Sequence, residues 1–319
     1  MMAVVFSVAF FGVAFALALR PGLLSRVLGR FSAPALILLI VLVVGASVLG
    51  GAGEPAAPHA PYAESAVSHG FLTGYQTMDT IAALNFGIVI VMNIRALGVT
   101  EEKAVLRSTV RAGGVAAVLF LSVYSMLAHI GALSGGAFPG TTNGAATMTN
   151  LVGAIFGPWG RAILAAVFVI ACFNTCVGLL SSCSTYFHTL LPRFPASAWA
   201  AFFALLSMVI ANAGLDQILE FSVPVLNILY PPAIVLILLS FLPERLQRLR
   251  AIYPAGILFT GAASILYTVQ GLGAAVPVLD GVLSAVPLAE VGLGWVLPAL
   301  AGVLLGAVLS LQRESKEVR

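Results

Sequence analysis

The sequence predicts an all-α integral membrane protein built as a bundle of spanning helices. Composition is the first of three observations behind that prediction. Of 319 residues, 60% are hydrophobic and only 8% charged, with a mean hydropathy of +1.07, whereas a soluble domain carries about a quarter charged residues. So apolar a chain cannot be covered with polar surface in water, which excludes a soluble enzyme. The second observation is that the apolar residues gather into segments of about 20, the length that crosses the hydrocarbon as a helix. The third is that none of these segments has the roughly ten-residue alternation of a membrane β-strand. The net charge of +3 comes without a long basic run, so nucleic acid is not an expected partner.

Nine segments read as spans: 2–19, 33–50, 71–94, 113–133, 161–188, 197–213, 218–242, 252–272 and 289–311. Two of them, 161–188 and 218–242, are long enough to tilt or carry a break. The basic residues orient the bundle. Arg20, Arg26 and Arg30 follow the first span, and Arg95, Lys103, Arg107 and Arg111 follow the third. Arg193 follows the fifth, Arg245, Arg248 and Arg250 the seventh, and Arg313, Lys316 and Arg319 close the chain. Fourteen of the 15 Lys and Arg thus fall on one side, with Arg161 the exception. That side is cytoplasmic, which places the C-terminus inside. An odd number of spans then puts the N-terminus outside, yet Met1 opens directly into apolar sequence without the basic region of a signal peptide. The topology therefore leads us to expect an odd number of further spans upstream.

The loops hold no soluble domain. Segment 51–70, with Glu54 and Glu64, reads as an outer Pro/Ala/Gly-rich loop. Segment 134–160, rich in Gly, Ser, Thr and Asn, reads as the cap of an outer vestibule. Segment 100–111 reads as a cytoplasmic amphipathic turn or short helix.

Polar groups inside lipid are costly and so are the default candidates for a site. The third span opens GFLTGYQTMDTIAALNFG. Gly70, Gly74 and Gly87 loosen a helix that also carries Thr73, Gln76, Thr77, Asp79, Thr80 and Asn85. A break there would expose carbonyls to a cation and a half-helix N-terminus to a carboxylate. The alternative is that these groups join helices through hydrogen bonds. In the fifth span, Asn174 and Thr175 offer oxygen ligands of the kind a hard cation takes. Ser181, Ser182, Ser184 and Thr185 read more simply as small packing residues that bond back to their own helix. In the seventh, Pro224, Pro231 and Pro232 predict kinks. Asn227 and Tyr230 there either line a cavity or pack, and Glu220 lies towards the outer interface.

Cys172, Cys176 and Cys183 lie on one helix face without metal spacing, and His59, His69, His129 and His188 sit near span ends. No Walker loop, nucleophile elbow or HExxH is present, so no metal site and no ATPase are expected, and an enzyme is not predicted.

The runs GYQTMDTIAALNFGIVIV, RALGVTEEK, CFNTCVGL and SVPVLNILYPPAIVLILLSF, with PLAEVGLGWVLP near the C-terminus, resemble the bacterial branched-chain amino acid transport system II carriers. The likeness runs from about residue 5 to about residue 312. It implies a multi-pass carrier of the bacterial cytoplasmic (inner) membrane, taking up Leu, Ile or Val with Na+ or H+ as coupling ion and no other cofactor. It also implies a twelve-span LeuT-type inverted-repeat fold, of which this chain would supply spans 4–12 as a single transporter domain. On that map 1–50 ends the first repeat, 71–242 forms the second, and 252–311 holds two C-terminal spans.

The family's broken first helix has no counterpart here, so the resemblance implies only half a site. Gly74, Tyr75, Thr77 and Asp79 would bracket a break in the family's sixth helix and meet substrate, together with Phe86 and Asn227. Asn174 and Thr175 would fall at the cation site, where this sequence departs from the family's hydroxyl pair. Ala82 and Val177 would join Phe86 in an aliphatic pocket. The alternative expectation is a truncated, non-transporting relic or an amino-acid-binding membrane subunit.

Overall fold

A computed structural model describes residues 2–20, 33–49, 55, 57, 58, 60, 62–138, 140, 141, 143–247, 249–273, 281, 283 and 286–317. Arg26, Arg30, Glu54, His59, Arg248 and Arg319 lie outside the described residues, as does most of the stretches around 55 and 280. The described residues are mostly helical, with no strand among them. The helices are α1 (Met2–Ala18), α2 (Ala33–Leu49), α3 (Tyr62–Thr73), α4 (Asp79–Ala96), α5 (Glu102–Ala137) and α6 (Gly144–Leu190). They continue with α7 (Ala196–Ala211), α8 (Leu215–Ser240), the short α9 (Glu244–Gln247), α10 (Ile252–Gly271) and α11 (Val296–Glu317). Among the described residues five helices, α4, α5, α6, α8 and α10, are long and apolar enough to cross a membrane. The apolar stretches Val4–Ala18, Pro34–Leu49, Ala196–Ala211 and Val296–Gln312 are shorter. Large side chains such as Val5, Leu42, Leu121 and Phe221 stand exposed around the helices, as expected where the surroundings are lipid.

Two expectations are corrected. Residues 102–111 are not a separate turn but the first turns of α5, a helix of 36 residues. Glu102 in its first turn suits the positive end of the helix dipole, and no glycine or proline intervenes before Gly113. Residues 144–156 are not loop. Asn143 caps them, its side chain accepting from the Ala146 amide at 2.9 Å, which satisfies one of the donors every helix start leaves open. The long α6 is in fact two helices joined at Gly157 (φ 59°, ψ −141°), with Pro158 opening the second. That backbone is open almost only to glycine, and proline suits a first helical position. The two pieces fold closely together, since a Cβ on Gly160 would strike the Val152 carbonyl. Helix α8 is continuous through Pro224, Pro231 and Pro232. Each proline leaves a carbonyl four residues upstream (Glu220, Asn227, Ile228) without its helical donor.

The chain divides into two compact units. The first comprises residues 1–57 and 85–216. One of its cores joins α1, α6 and α7 through Ala14, Ala18, Val177, Leu180 and Ala204. A second joins α2, α5 and α6 through Val43, Ile130, Leu151, Val152 and Leu164. The other unit comprises residues 58–84 and 217–319, and its core of Val235, Leu239, Ile252, Ala263, Trp295 and Ala299 joins α8, α10 and α11.

In this unit α10 and α11 cross antiparallel on small residues. A Cβ on Gly302 would meet the Ala255 carbonyl oxygen at 2.6 Å, and one on Gly256 would meet Val303 at 3.0 Å. The Gly302–Gly306 spacing is the small-xxx-small pattern that lets membrane helices approach to backbone contact. Ser310, buried in the same seam, accepts from the Ala251 amide at 3.0 Å and so serves the start of α10 from the neighbouring helix.

Candidate functional site

The glycines and polar residues of the expected third span do interrupt it. Helix α3 ends at Thr73, a tight 3-10 turn covers Gly74–Thr77, and α4 begins at Asp79. Between them Met78 takes a left-handed backbone (φ 61°), a conformation rare outside glycine and costly without surrounding support. The turn supplies part of that support. The Thr77 hydroxyl donates to the Gly74 carbonyl at 2.8 Å, the Met78 amide donates to the Tyr75 carbonyl at 3.1 Å, and the Ala82 amide donates to the Met78 carbonyl at 2.9 Å.

Tyr75 fixes the turn in the second unit. Its side chain is only 3% exposed and stacks on Tyr230 of α8, ring centroids 4.6 Å apart and planes 22° apart. Phe71 packs edge-on to the same ring at 5.4 Å. Leu226 completes this small core. The Tyr230 hydroxyl lies beside the Thr77 and Thr80 hydroxyls, the Thr80 amide and Asp79. It is shielded from solvent and completes no hydrogen bond.

Against the turn lies a cavity of about 530 Å³, contained within this unit. Its walls include Tyr75 and Gln76 from the turn, Asn227 from α8, Tyr267 from α10, and His69 and Trp295. No Asp, Glu, Lys or Arg lines it among the described residues. The volume falls in the range of small-molecule sites, and the mixture of apolar surface with a few amides and hydroxyls is their usual lining. Two glycines let the wall close. A Cβ on Gly294 would strike the Tyr267 ring, and one on Gly292, where φ is +73°, would strike Leu72. The Tyr267 hydroxyl is meanwhile held by donating to the Leu283 carbonyl at 3.0 Å.

The structure thus brings Gly74, Tyr75, Thr77, Asp79 and Asn227 into one neighbourhood. The other expected site residues belong to the first unit. Phe86 packs its ring where a Cβ on Gly178 would meet it at 3.2 Å. Asn174 is half-buried and its Oδ1 is shielded without a hydrogen-bond partner, while Thr175 is exposed. Two turns further along α6, Asn85 donates to the Ser182 hydroxyl at 2.9 Å. The Ser184 and Thr185 hydroxyls both donate to the Ser181 carbonyl, at 3.0 and 2.8 Å, in agreement with a packing role. The three cysteines are free thiols. No cluster of three His, Cys, Asp or Glu suited to a metal occurs among the described residues.

Two side chains at the cavity were not expected: Trp295, in a stretch that carried only the family likeness, and Tyr267, which no motif marks. Of the two readings open for Tyr230, lining and packing, the structure shows packing, against Tyr75. Its position directly before Pro231–Pro232 was the available signal, because φ of the two prolines is fixed.

Helices long and apolar enough to span lipid, one of the apolar segments interrupted beside a cavity, define the class as a multi-pass membrane protein. The chain belongs to the branched-chain amino acid transport protein family, whose sequence model matches residues 1–313. It is 37% identical over 308 residues to the branched-chain amino acid permease BraB of Bacillus subtilis, covering 96% of this chain and 69% of that one. It is 38% identical over 309 residues to the branched-chain amino acid transport system 2 carrier protein of Pseudomonas aeruginosa (95% and 69%). To the permease BrnQ of Escherichia coli K12 it is 35% identical over 306 residues (95% and 69%). No solved structure matches the chain.

Proposed function

We propose that this protein carries branched-chain amino acids, Leu, Ile and Val, across the bacterial cytoplasmic membrane by symport with a cation, Na+ before H+. It is a carrier and not an enzyme. The observation that supports this reading most is the helix interruption at Gly74–Met78 beside a cavity lined by no Asp, Glu, Lys or Arg among the described residues, in a chain of this family. A free amino acid carries one charge of each sign and none overall. Its carboxylate suits the open amides at the start of α4, and its ammonium suits acceptors at the turn and Asp79. The aliphatic side chain needs only a dry apolar wall, so Leu, Ile and Val, differing by a methylene or its placement, are separated by only about 1–3 kcal/mol. Asn174 and Thr175 of α6 are the proposed cation ligands, by their oxygens. The C-terminus is cytoplasmic on this reading.

The coupling energy suffices. Each positive charge entering across 100 mV releases about 2.3 kcal/mol, which concentrates a neutral solute roughly fiftyfold at 1.36 kcal/mol per decade.

The test is leucine uptake into proteoliposomes holding the purified protein, with an inward Na+ gradient, an inward H+ gradient or neither. Accumulation above equilibrium with Na+ supports the reading, and accumulation only with H+ replaces the ion. Leucine binding without accumulation under any gradient refutes transport. Asp79→Asn should lower uptake at least tenfold without reducing the folded yield, and unchanged uptake removes Asp79 from the site.

A further inference from the structure

We infer that Tyr230 is a positioning residue: one side chain from α8 braces both halves of the interrupted helix, and its hydroxyl sets how tightly the interruption holds a ligand. The inference rests on the interruption being the substrate site. Tyr230 is 2% exposed, and its ring covers Tyr75, on the upstream side of Met78, by face-to-face stacking at 4.6 Å. Its hydroxyl reaches the downstream side, beside Thr80 and Asp79 in the first turn of α4 and beside Thr77. No other side chain named at the turn meets both sides in this way.

The hydroxyl is shielded from solvent yet completes no hydrogen bond. A buried hydroxyl left in that state is costly, and the Thr80 amide that faces it is one of the amides that a helix start leaves without an internal partner. The hydroxyl therefore stands where it orients the start of α4, whose amides the proposed ligand's carboxylate meets. Pro231 and Pro232, which follow directly, fix the backbone from which the brace extends. The ring therefore contributes to folding, while the hydroxyl contributes to ligand affinity, and the two are separable by substitution.

The experiment compares wild type, Tyr230→Phe and Tyr230→Leu in proteoliposomes, reading KM and Vmax for leucine together with the thermal melting curve. Phe keeps the stack, so its melting curve should superimpose on wild type and its Vmax should stay within twofold. Its KM should rise about fivefold, the worth of one net hydrogen bond. Leu, which loses stack and hydroxyl, should raise KM further and melt earlier. An unchanged KM in Tyr230→Phe overturns the inference, and so does a KM rise matched by earlier melting, which marks a merely structural role. A transport-independent readout covers failure of the underlying reading. In a background with Cys172, Cys176 and Cys183 replaced by serine, the maleimide labelling rate of Met78→Cys should rise at least threefold when Tyr230→Phe is added. Equal rates overturn the brace whether or not leucine is carried.

Discussion

The crossing of α10 and α11 gives the most quantitative prediction, because a single methyl group tests it. In Gly306→Ala the new Cβ lands on the Ala251 carbonyl, with the Ala251 carbonyl carbon and Ile252 Cα each at 2.8 Å. All three are backbone atoms, so no rotamer change relieves the contact and the helices must separate. Overpacking of this kind costs about 1–3 kcal/mol. Alanine in place of glycine inside a helix gains up to about 1 kcal/mol in propensity, which would mask part of the effect. Gly113→Ala in α5 supplies the correction, because a Cβ there meets nothing within 4 Å. The difference in unfolding free energy between the two variants, measured by denaturant titration in one detergent, isolates the crossing. We expect Gly306→Ala to be less stable than Gly113→Ala by about 1–3 kcal/mol. Equal stabilities would refute backbone contact at this seam, and with it the account of why Gly302 and Gly306 are spaced as they are.

Two further predictions concern the first unit. Gly157→Ala forces a side chain into a backbone open almost only to glycine and should cost about 1–3 kcal/mol, read as earlier thermal melting than for Gly12→Ala, a helical site with open space. The bond from Asn85 to Ser182 should show a coupling of about 0.6 kcal/mol in a double-mutant cycle of Asn85→Ala and Ser182→Ala; strictly additive losses would mean that the bond does not form.

What could be read from the sequence depended on whether the signal was local. The interruption of the third span was legible because Gly70 and Gly74 adjoin a run of hydroxyls and Asp79 in otherwise apolar sequence. Its pivot was not, because Met78 has no intrinsic preference for a left-handed backbone and holds it only through bonds that fold across the turn. Residues 144–156 were misread as loop because their glycines, threonines and asparagine are turn formers by composition. Asn143 followed by Gly-Ala-Ala is equally a helix start, and the cap decides it. Gly302 and Gly306 stand in plain view, but nothing local says that α10, with Ala251 and Ala255, is the helix they meet. The cavity is the same kind of case. Gln76, Asn227, Tyr267 and Trp295 come from separate stretches of chain, and only packing brings them together.

Among the described residues no Asp, Glu, Lys or Arg lines the cavity, which bears on the choice of cargo. A buried unpaired charge is prohibitively costly at low dielectric, so a site for a cationic or anionic solute needs an opposite charge in its wall. Tyr75, Gln76, Asn227, Tyr267 and Trp295 provide amides, hydroxyls and an indole, and Asp79 stands at the start of α4 instead of in the wall. Such a wall suits a solute whose own charges cancel, and its apolar remainder suits an aliphatic side chain. Lysine or glutamate would enter with one charge uncompensated. Competition assays should therefore rank Leu, Ile and Val together and well ahead of both on the proposed reading. Inhibition of leucine uptake by lysine or glutamate at leucine's own concentration would place the binding site somewhere other than this cavity.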